Sequence, residues 1–280
     1  MRTIAHLSDL HFGHLDPAIL PVLRGTLLDV RPDLVVVSGD LTQRARREEF
    51  EHARQFLDGL PFPRLVVPGN HDVPLYDVVD RWLRPLGKYK AIISPDLEPV
   101  YADGEVVVVG VNTARALTFK SGRINRRQVV RCRERFASLG DTGPVTRIVV
   151  AHHPFILPDG ANPNDLIGRA RMGLLAFAAA GVDLILSGHL HVSRTLQGAI
   201  TSDDAGPAAL LVQAGTATST RRRNEVNSFN VLRIDHPEVE IERWGWNDAR
   251  SLFVASSAER YRRQSSTWTR PETRNVGEHA

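Results

Sequence analysis

The chain has 280 residues, 42% hydrophobic and 24% charged, with a formal net charge of +3. This is ordinary globular usage, long enough for a full core, and it excludes a disordered or fibrous chain. The charge suits a small anionic ligand but is too modest for a basic nucleic-acid-binding face, so nucleic acid is not expected as a partner.

Before the first element there is no apolar stretch resembling a signal core, because Met1–His6 runs straight into Ser8-Asp9. No apolar run reaches the length of a membrane span. A cytoplasmic chain without a membrane span is the expectation. A single cysteine, Cys132, excludes an intrachain disulfide and reads as an incidental thiol on a helix.

Strand and helix signals alternate through most of the chain. Residues 3–7 form a short apolar run. Residues 17–30 space Ile19, Leu20, Leu23, Leu27 and Leu28 as a helix does. Residues 34–37 are a continuous apolar run, as in a strand buried on both faces. Residues 47–57 read as an amphipathic helix, 65–67 as a strand and 75–86 as a helix. Asp103-Gly104 between apolar runs at 99–102 and 105–111 signals a hairpin. Helix at 125–137, strand at 147–151, helix at 166–180 and strand at 184–186 follow. After Gly188 the pattern becomes all strand: 192–200, 208–212, 227–234 and 239–246. A βαβα half followed by a β-rich half implies two packed sheets flanked by helices. One domain is expected over residues 1–263, with a flexible tail over 264–280.

The polar residues that carry chemistry stand directly after predicted strands. They are Ser8-Asp9-Leu10-His11, Ser38-Gly39-Asp40-Leu41, Pro68-Gly69-Asn70-His71-Asp72, Ala151-His152-His153-Pro154 and Ser187-Gly188-His189-Leu190-His191. Ligands of open α/β sheets bind beyond the carboxyl ends of the strands, so five such clusters converge on one place. Extended Asp-x-His and His-x-His would put both side chains on one side, as chelation requires. Each fragment alone is an ordinary turn, and it is the series that carries the reading. Imidazole, carboxylate and amide ligands without thiolate point to Zn, Mn, Fe or Co. Seven candidate ligands are too many for one tetrahedral ion and about right for two ions sharing a bridge, most economically Asp40.

In order and spacing these motifs resemble those of the calcineurin-like metallophosphoesterases, over roughly residues 1–235. Ser8–Phe12, Gly39–Thr42 and Pro68–Asp72 are most similar to the bacterial class III cyclic-nucleotide phosphodiesterases and related small-diester phosphodiesterases. The resemblance implies a four-layer αββα sandwich with a dinuclear metal site at the C-terminal ends of the strands. It implies Asp9, His11 and His191 on one metal, Asn70, His152 and His189 on the other, and Asp40 between them. It places His71 beside the metals as phosphate contact and leaving-group acid, and His153 behind them or on the substrate side. A hydroxide bridging the ions would attack phosphorus in line with the leaving oxygen.

The expected function is therefore hydrolysis of a small phosphodiester, cyclic nucleotides included. A phosphomonoesterase or a hydrolase of nucleotide- or lipid-linked phosphates is the alternative, and a non-catalytic metal-binding scaffold is the alternative of another class. Asn112 either offers its amide to substrate or caps a turn. Arg123 and the run Arg221–Arg223 are either solvated or guide an anion. Trp244 and Trp246 share one face of a strand, against a helix or a partner subunit, and the C-terminal strands suggest a homodimer.

Overall fold

The computed structural model describes residues 1–118, 120–139, 144–198, 209–220, 225–265, 267–270 and 273–274. Two sheets lie face to face. In the first, β1 (Arg2–Leu7), β2 (Leu34–Ser38) and β3 (Arg64–Val67) run parallel. The antiparallel strands β10 (Ser228–Asp235), β11 (Glu238–Asn247) and β12 (Leu252–Gln264) extend it from the β1 edge. In the second, β5 (Val106–Gly110), β6 (Thr146–Val150), β7 (Leu184–Ser187) and β9 (Ala209–Gln213) are parallel. The short strands β4 (Val100–Ala102) and β8 (Arg194–Gly198) close its two edges.

Period-two alternation sorts the apolar residues of these buried strands into three cores. Ile4, Leu34, Val36 and Leu65 meet Val108, Ile148, Val150 and Leu186 between the sheets. Ala5, Leu7, Val35 and Val37 face the other way, onto α1 (Ile19–Val30) and α2 (Arg47–Asp58), through Leu23, Leu27 and Phe50. Val107, Val109, Val149 and Ile185 pack on α5 (Arg126–Ser138) and α6 (Ala170–Ala179), through Phe136 and Phe177. Four layers, αββα, follow from these three cores. The Asp103-Gly104 hairpin pairs Ala102 with Val107, as expected.

Several boundaries differ from the sequence reading. The helix expected at 75–86 is two short ones, α3 (Val78–Leu83) and α4 (Gly87–Ile92). Pro85 lies between them and disfavours helical backbone at the residue before it, while Asp77 caps α3 by accepting from the Asp80 amide. The helix expected from 166 starts at Ala170, because Gly168 is bonded to the Gly122 carbonyl and Arg169 is left-handed. Residues 252–264 form a 13-residue strand whose largely polar sequence gave no signal. Within the segment expected as a tail, β13 (Thr267–Thr269) pairs with the end of β12 and buries Trp268. Trp246 is buried against Phe253, and Trp244 stacks on Phe229. Trp246 belongs to the helix-side core, and half-buried Trp244 packs against it. Cys132 is buried on α5, and burial pushes its thiol up to about 12. Arg221–Arg223, the loop at 202–207 and residues 275–280 lie outside the described residues. Among the described residues no helix is long and apolar enough to cross a membrane.

Candidate metal centre

All five polar clusters emerge at one edge, past the carboxyl ends of β1, β2, β3, β6 and β7. Backbone hydrogen bonds tie their loops together. The amides of Asp9 and His11 donate to the carbonyls of Gly39 and Asp40, and the Gly188 amide donates to the His152 carbonyl.

Two sets of ligand atoms result. In the first, Asp9 Oδ1 lies 3.2 Å from His191 Nε2 and 3.6 Å from His11 Nε2, and the two imidazole nitrogens are 3.2 Å apart. Asp9 Oδ1 is buried without a hydrogen bond of acceptable geometry, whereas Oδ2 accepts from Ser8 Oγ and the His189 amide. In the second, His152 Nε2 lies 3.1 Å from Asn70 Oδ1 and 3.3 Å from His189 Nδ1. Asp40 joins the sets: its Oδ2 is 3.3 Å from His152 Nε2 and 3.8 Å from His11 Nε2. All seven sequence-predicted ligands thus fall into two clusters with one carboxylate between them.

The chemistry of this donor set fits two cations. His152 donates its Nδ1–H to the Ser38 carbonyl, which aims Nε2 at the oxygens of Asn70 and Asp40. A ring nitrogen facing two oxygen acceptors either carries a proton or binds a cation that displaces it, and a backbone partner on the far nitrogen is how ligating histidines are oriented. Burial disfavours the charged His152 ring, yet the Asp40 carboxylate, with Asp9 behind it, outweighs burial and lifts the imidazole to about 9. Burial would likewise raise Asp9 and Asp40, but the surrounding imidazoles hold both below the usual carboxylate range.

The backbone here is not extended. Asp9, His11, Asp40, His189 and His191 all have positive φ, between 49° and 72°. The same-side argument from strand alternation is therefore corrected: these ligands converge because left-handed turns aim them. Such conformations are uncommon for non-glycine residues and concentrate at functional sites.

The motif glycines have a steric cause. A Cβ on Gly39 would lie 2.6 Å from His152 Nδ1, and one on Gly69 2.1 Å from Asp40 Oδ1. One on Gly188 would lie 1.8 Å from Ser8 Oγ and 2.6 Å from Asp9 Oδ2. Gly188→Ala should therefore keep the fold but push Asp9 off its position. Activity should fall about a hundredfold or more, as catalytic misplacement near 1 Å does. Metal content and turnover of the purified variant check this, and near-normal values would show that the Asp9 loop moves freely.

Residues around the ligands carry further roles. The His71 amide donates to Asp40 Oδ1, and its ring Nδ1 donates to the Gln43 carbonyl. Its ring stands edge-on to His11 at 4.9 Å between centroids. His153 is buried, with Nδ1 accepting from Thr113 Oγ1 and Nε2 donating to the Lys120 carbonyl. Both ring nitrogens thus hold the loop after β5. Asn112 caps a turn through Oδ1, which accepts from the Ala114 amide. The Arg123 amide donates to the Thr113 carbonyl, and its side chain lines a neighbouring cavity.

Two acidic residues were missed as site residues. Asp72 accepts from the amides of Leu41, Thr42 and Gly69 and from Thr42 Oγ1, clasping the second and third motif loops. Burial and the Asp40 charge push its carboxyl up to about 6 despite those bonds. The signal for Asp72 was its place in Gly69-Asn70-His71-Asp72. Asp165 Oδ1 lies 3.7 Å from His189 Nε2, behind the Nδ1 that faces His152. It comes from a short 3-10 turn distant in sequence, and nothing local announces it.

The model of the calcineurin-like phosphoesterase family matches residues 2–193. A glycerophosphodiester phosphodiesterase of Enterobacter lignolyticus is 43% identical over 82 residues, covering 25% of this chain and 29% of that protein. A probable cyclic nucleotide phosphodiesterase of Synechococcus sp. is 27% identical over 202 residues, 68% of this chain and 73% of that protein. Among solved structures, a dimetal phosphatase from Danio rerio superposes with a TM-score of 0.64 at 13% identity, covering 87% of this chain and 96% of that one. That likeness concerns the fold, which is the αββα sandwich built above. A family match running from the first strand to the last histidine motif makes this chain a member of the calcineurin-like phosphoesterases.

Proposed function

We propose that this chain is a two-metal phosphodiesterase acting on small phosphate esters, with Asp9, His11 and His191 on one ion, Asn70, His152 and His189 on the other, and Asp40 on both. The observation that carries this reading is the position of Asp40 Oδ2 between His152 Nε2 and His11 Nε2. The names of the two similar phosphodiesterases support diester cleavage. Ions of Mn, Fe, Zn or Co fit the nitrogen and oxygen donors. When bound, they supply Lewis acidity to the phosphoryl oxygens and make water nucleophilic at neutral pH.

The protein's own residues do the rest. His152 and His189 are fixed by the Ser38 carbonyl and Asp165, so their ligand nitrogens are aimed before substrate arrives. His71 is held by the Gln43 carbonyl with its proton on Nδ1, so the proton it delivers to a leaving alkoxide is one gained on Nε2. His71→Ala is expected to slow cleavage of alkyl diesters about 10²–10⁴-fold, the usual worth of general acid catalysis. Aryl diesters with good leaving groups should lose far less. Equal losses on the two series would remove the acid role.

The test of the whole reading is hydrolysis of bis(p-nitrophenyl) phosphate and p-nitrophenyl phosphate by metal-stripped protein reloaded with Mn. Diester cleavage that requires metal, with the monoester much poorer, is the expected result. Preference for the monoester makes the enzyme a phosphomonoesterase. Inertness toward both, with both sites filled, leaves the scaffold reading.

A further inference from the structure

A cavity of about 850 Å³ lies between the α3–α4 stretch and the loop after β5, with Val73 of the third motif loop in its wall. Its wall is mostly apolar, from Val73, Leu83, Leu86, Leu97, Ala114 and Leu117, with Arg84 and Lys90 among the cations around it. Leu83 and Leu117 of its wall are 76% and 71% exposed, and Tyr76 and Trp82, on the same stretch of chain as Leu83, are 69% and 63% exposed. Exposed apolar side chains at an apolar cavity mark a place where something apolar binds.

Three structural ties join the cavity to the candidate metal centre. Val73, in its wall, directly follows Asp72. The loop carrying Ala114 and Leu117 is held at both ends by His153, the neighbour of His152, through Thr113 and Lys120. Arg44, next to the Gln43 whose carbonyl holds His71, stacks over the ring of Tyr76, two residues before α3. Buried Arg81 donates to the carbonyls of Pro74 and Thr118 and so links the two sides of the mouth. An apolar chamber whose wall includes Val73, next to Asp72, and the loop that His153 holds is placed to receive part of the reacting molecule. The cations around it complement the negative charge of a phosphate ester.

We propose that this cavity receives the apolar substituent of the substrate ester, so that the enzyme selects amphiphilic phosphodiesters over small polar ones. The proposal rests on the phosphodiesterase reading above and narrows its substrate class.

The test is calorimetric titration of the metal-loaded full chain with methyl, butyl and octyl phosphate, each below its micelle concentration. Each methylene that enters an apolar cavity tightens binding roughly fourfold, so octyl phosphate should bind at least about tenfold more tightly than butyl. Ala116→Trp, which fills the cavity, should flatten this dependence. Ala116 is half-buried, so the doubly substituted Leu83→Ser, Leu117→Ser chain is the companion variant. Both of its positions are exposed, and it should flatten the dependence without touching the core. Equal affinity for butyl and octyl phosphate, or an undiminished chain-length gain in both variants, overturns the proposal. Cleavage of bis(p-nitrophenyl) phosphate by the same preparation tests the parent reading separately. Active protein without chain-length dependence removes only the cavity's role. Inactive protein that retains the dependence has a binding cavity but no substrate for it, and overturns the proposal through its parent.

Discussion

Asp40→Asn is expected to cost both metal ions together and at least about a thousandfold in kcat/KM on an aryl diester, equivalent to several kcal/mol of transition-state stabilisation. Both oxygens of Asp40 are committed. Oδ1 accepts from the His71 amide at 2.8 Å, and Oδ2 stands between the two ligand sets. An asparagine has only one oxygen for these two tasks. If it keeps the His71 amide, its NH₂ group faces the cations. If it turns its oxygen to the cations, two N–H donors oppose each other at His71. Substitution also removes the negative charge that offsets two cations in a buried site, and unpaired buried charge is strongly unfavourable. The loss should therefore be cooperative, seen by elemental analysis as both ions falling in parallel with activity. A variant that retains two tightly bound ions would refute the shared position of Asp40.

The candidate ligands were legible because each follows its strand directly, and strands buried on both faces announce themselves as continuous apolar runs such as Leu34–Val37. Their geometry was not legible. Alternation along an extended strand suggested why Asp9 and His11 share a side, but both are left-handed. What sequence carries of this is the glycine pattern: Gly39, Gly69 and Gly188 each leave space that a ligand side chain occupies. The supporting shell was less visible still. The carbonyls of Ser38 and Gln43 orient His152 and His71 whatever residues stand there, since backbone acceptors have no letter in the sequence. Asp165 reaches His189 across a fold-determined distance. Strand β12 escaped because only Phe253, Glu259 and Tyr261 of its 13 residues are buried.

The second large effect concerns a residue that is no ligand. Asp72→Ala is expected to destabilise the chain by about 3–4 kcal/mol, since a buried donor left unsatisfied costs about 1–3 kcal/mol and water entering the space recovers part of the sum. The variant strips acceptors from three backbone amides, those of Leu41, Thr42 and Gly69, and from the Thr42 hydroxyl. Asp72→Asn should fall between it and the wild type, because one oxygen remains as acceptor while an NH₂ is set against two donors. Opposing this, the Asp72 carboxylate is repelled by Asp40 and stripped of water, which is why its carboxyl is pushed up to about 6. A cation on Asp40 reduces that repulsion, so the clasp and the metals support each other. Asp72 joins the loop of Asp40 to the loop of Asn70 through the amides of Leu41 and Gly69, each the neighbour of a candidate ligand. Metal addition should thus raise the urea midpoint of the wild type more than that of Asp72→Ala, because ligands pre-positioned by the clasp bind more tightly. A loss under about 1 kcal/mol, with an undiminished response to metal, would mean that the two loops hold their ligands in place without the clasp.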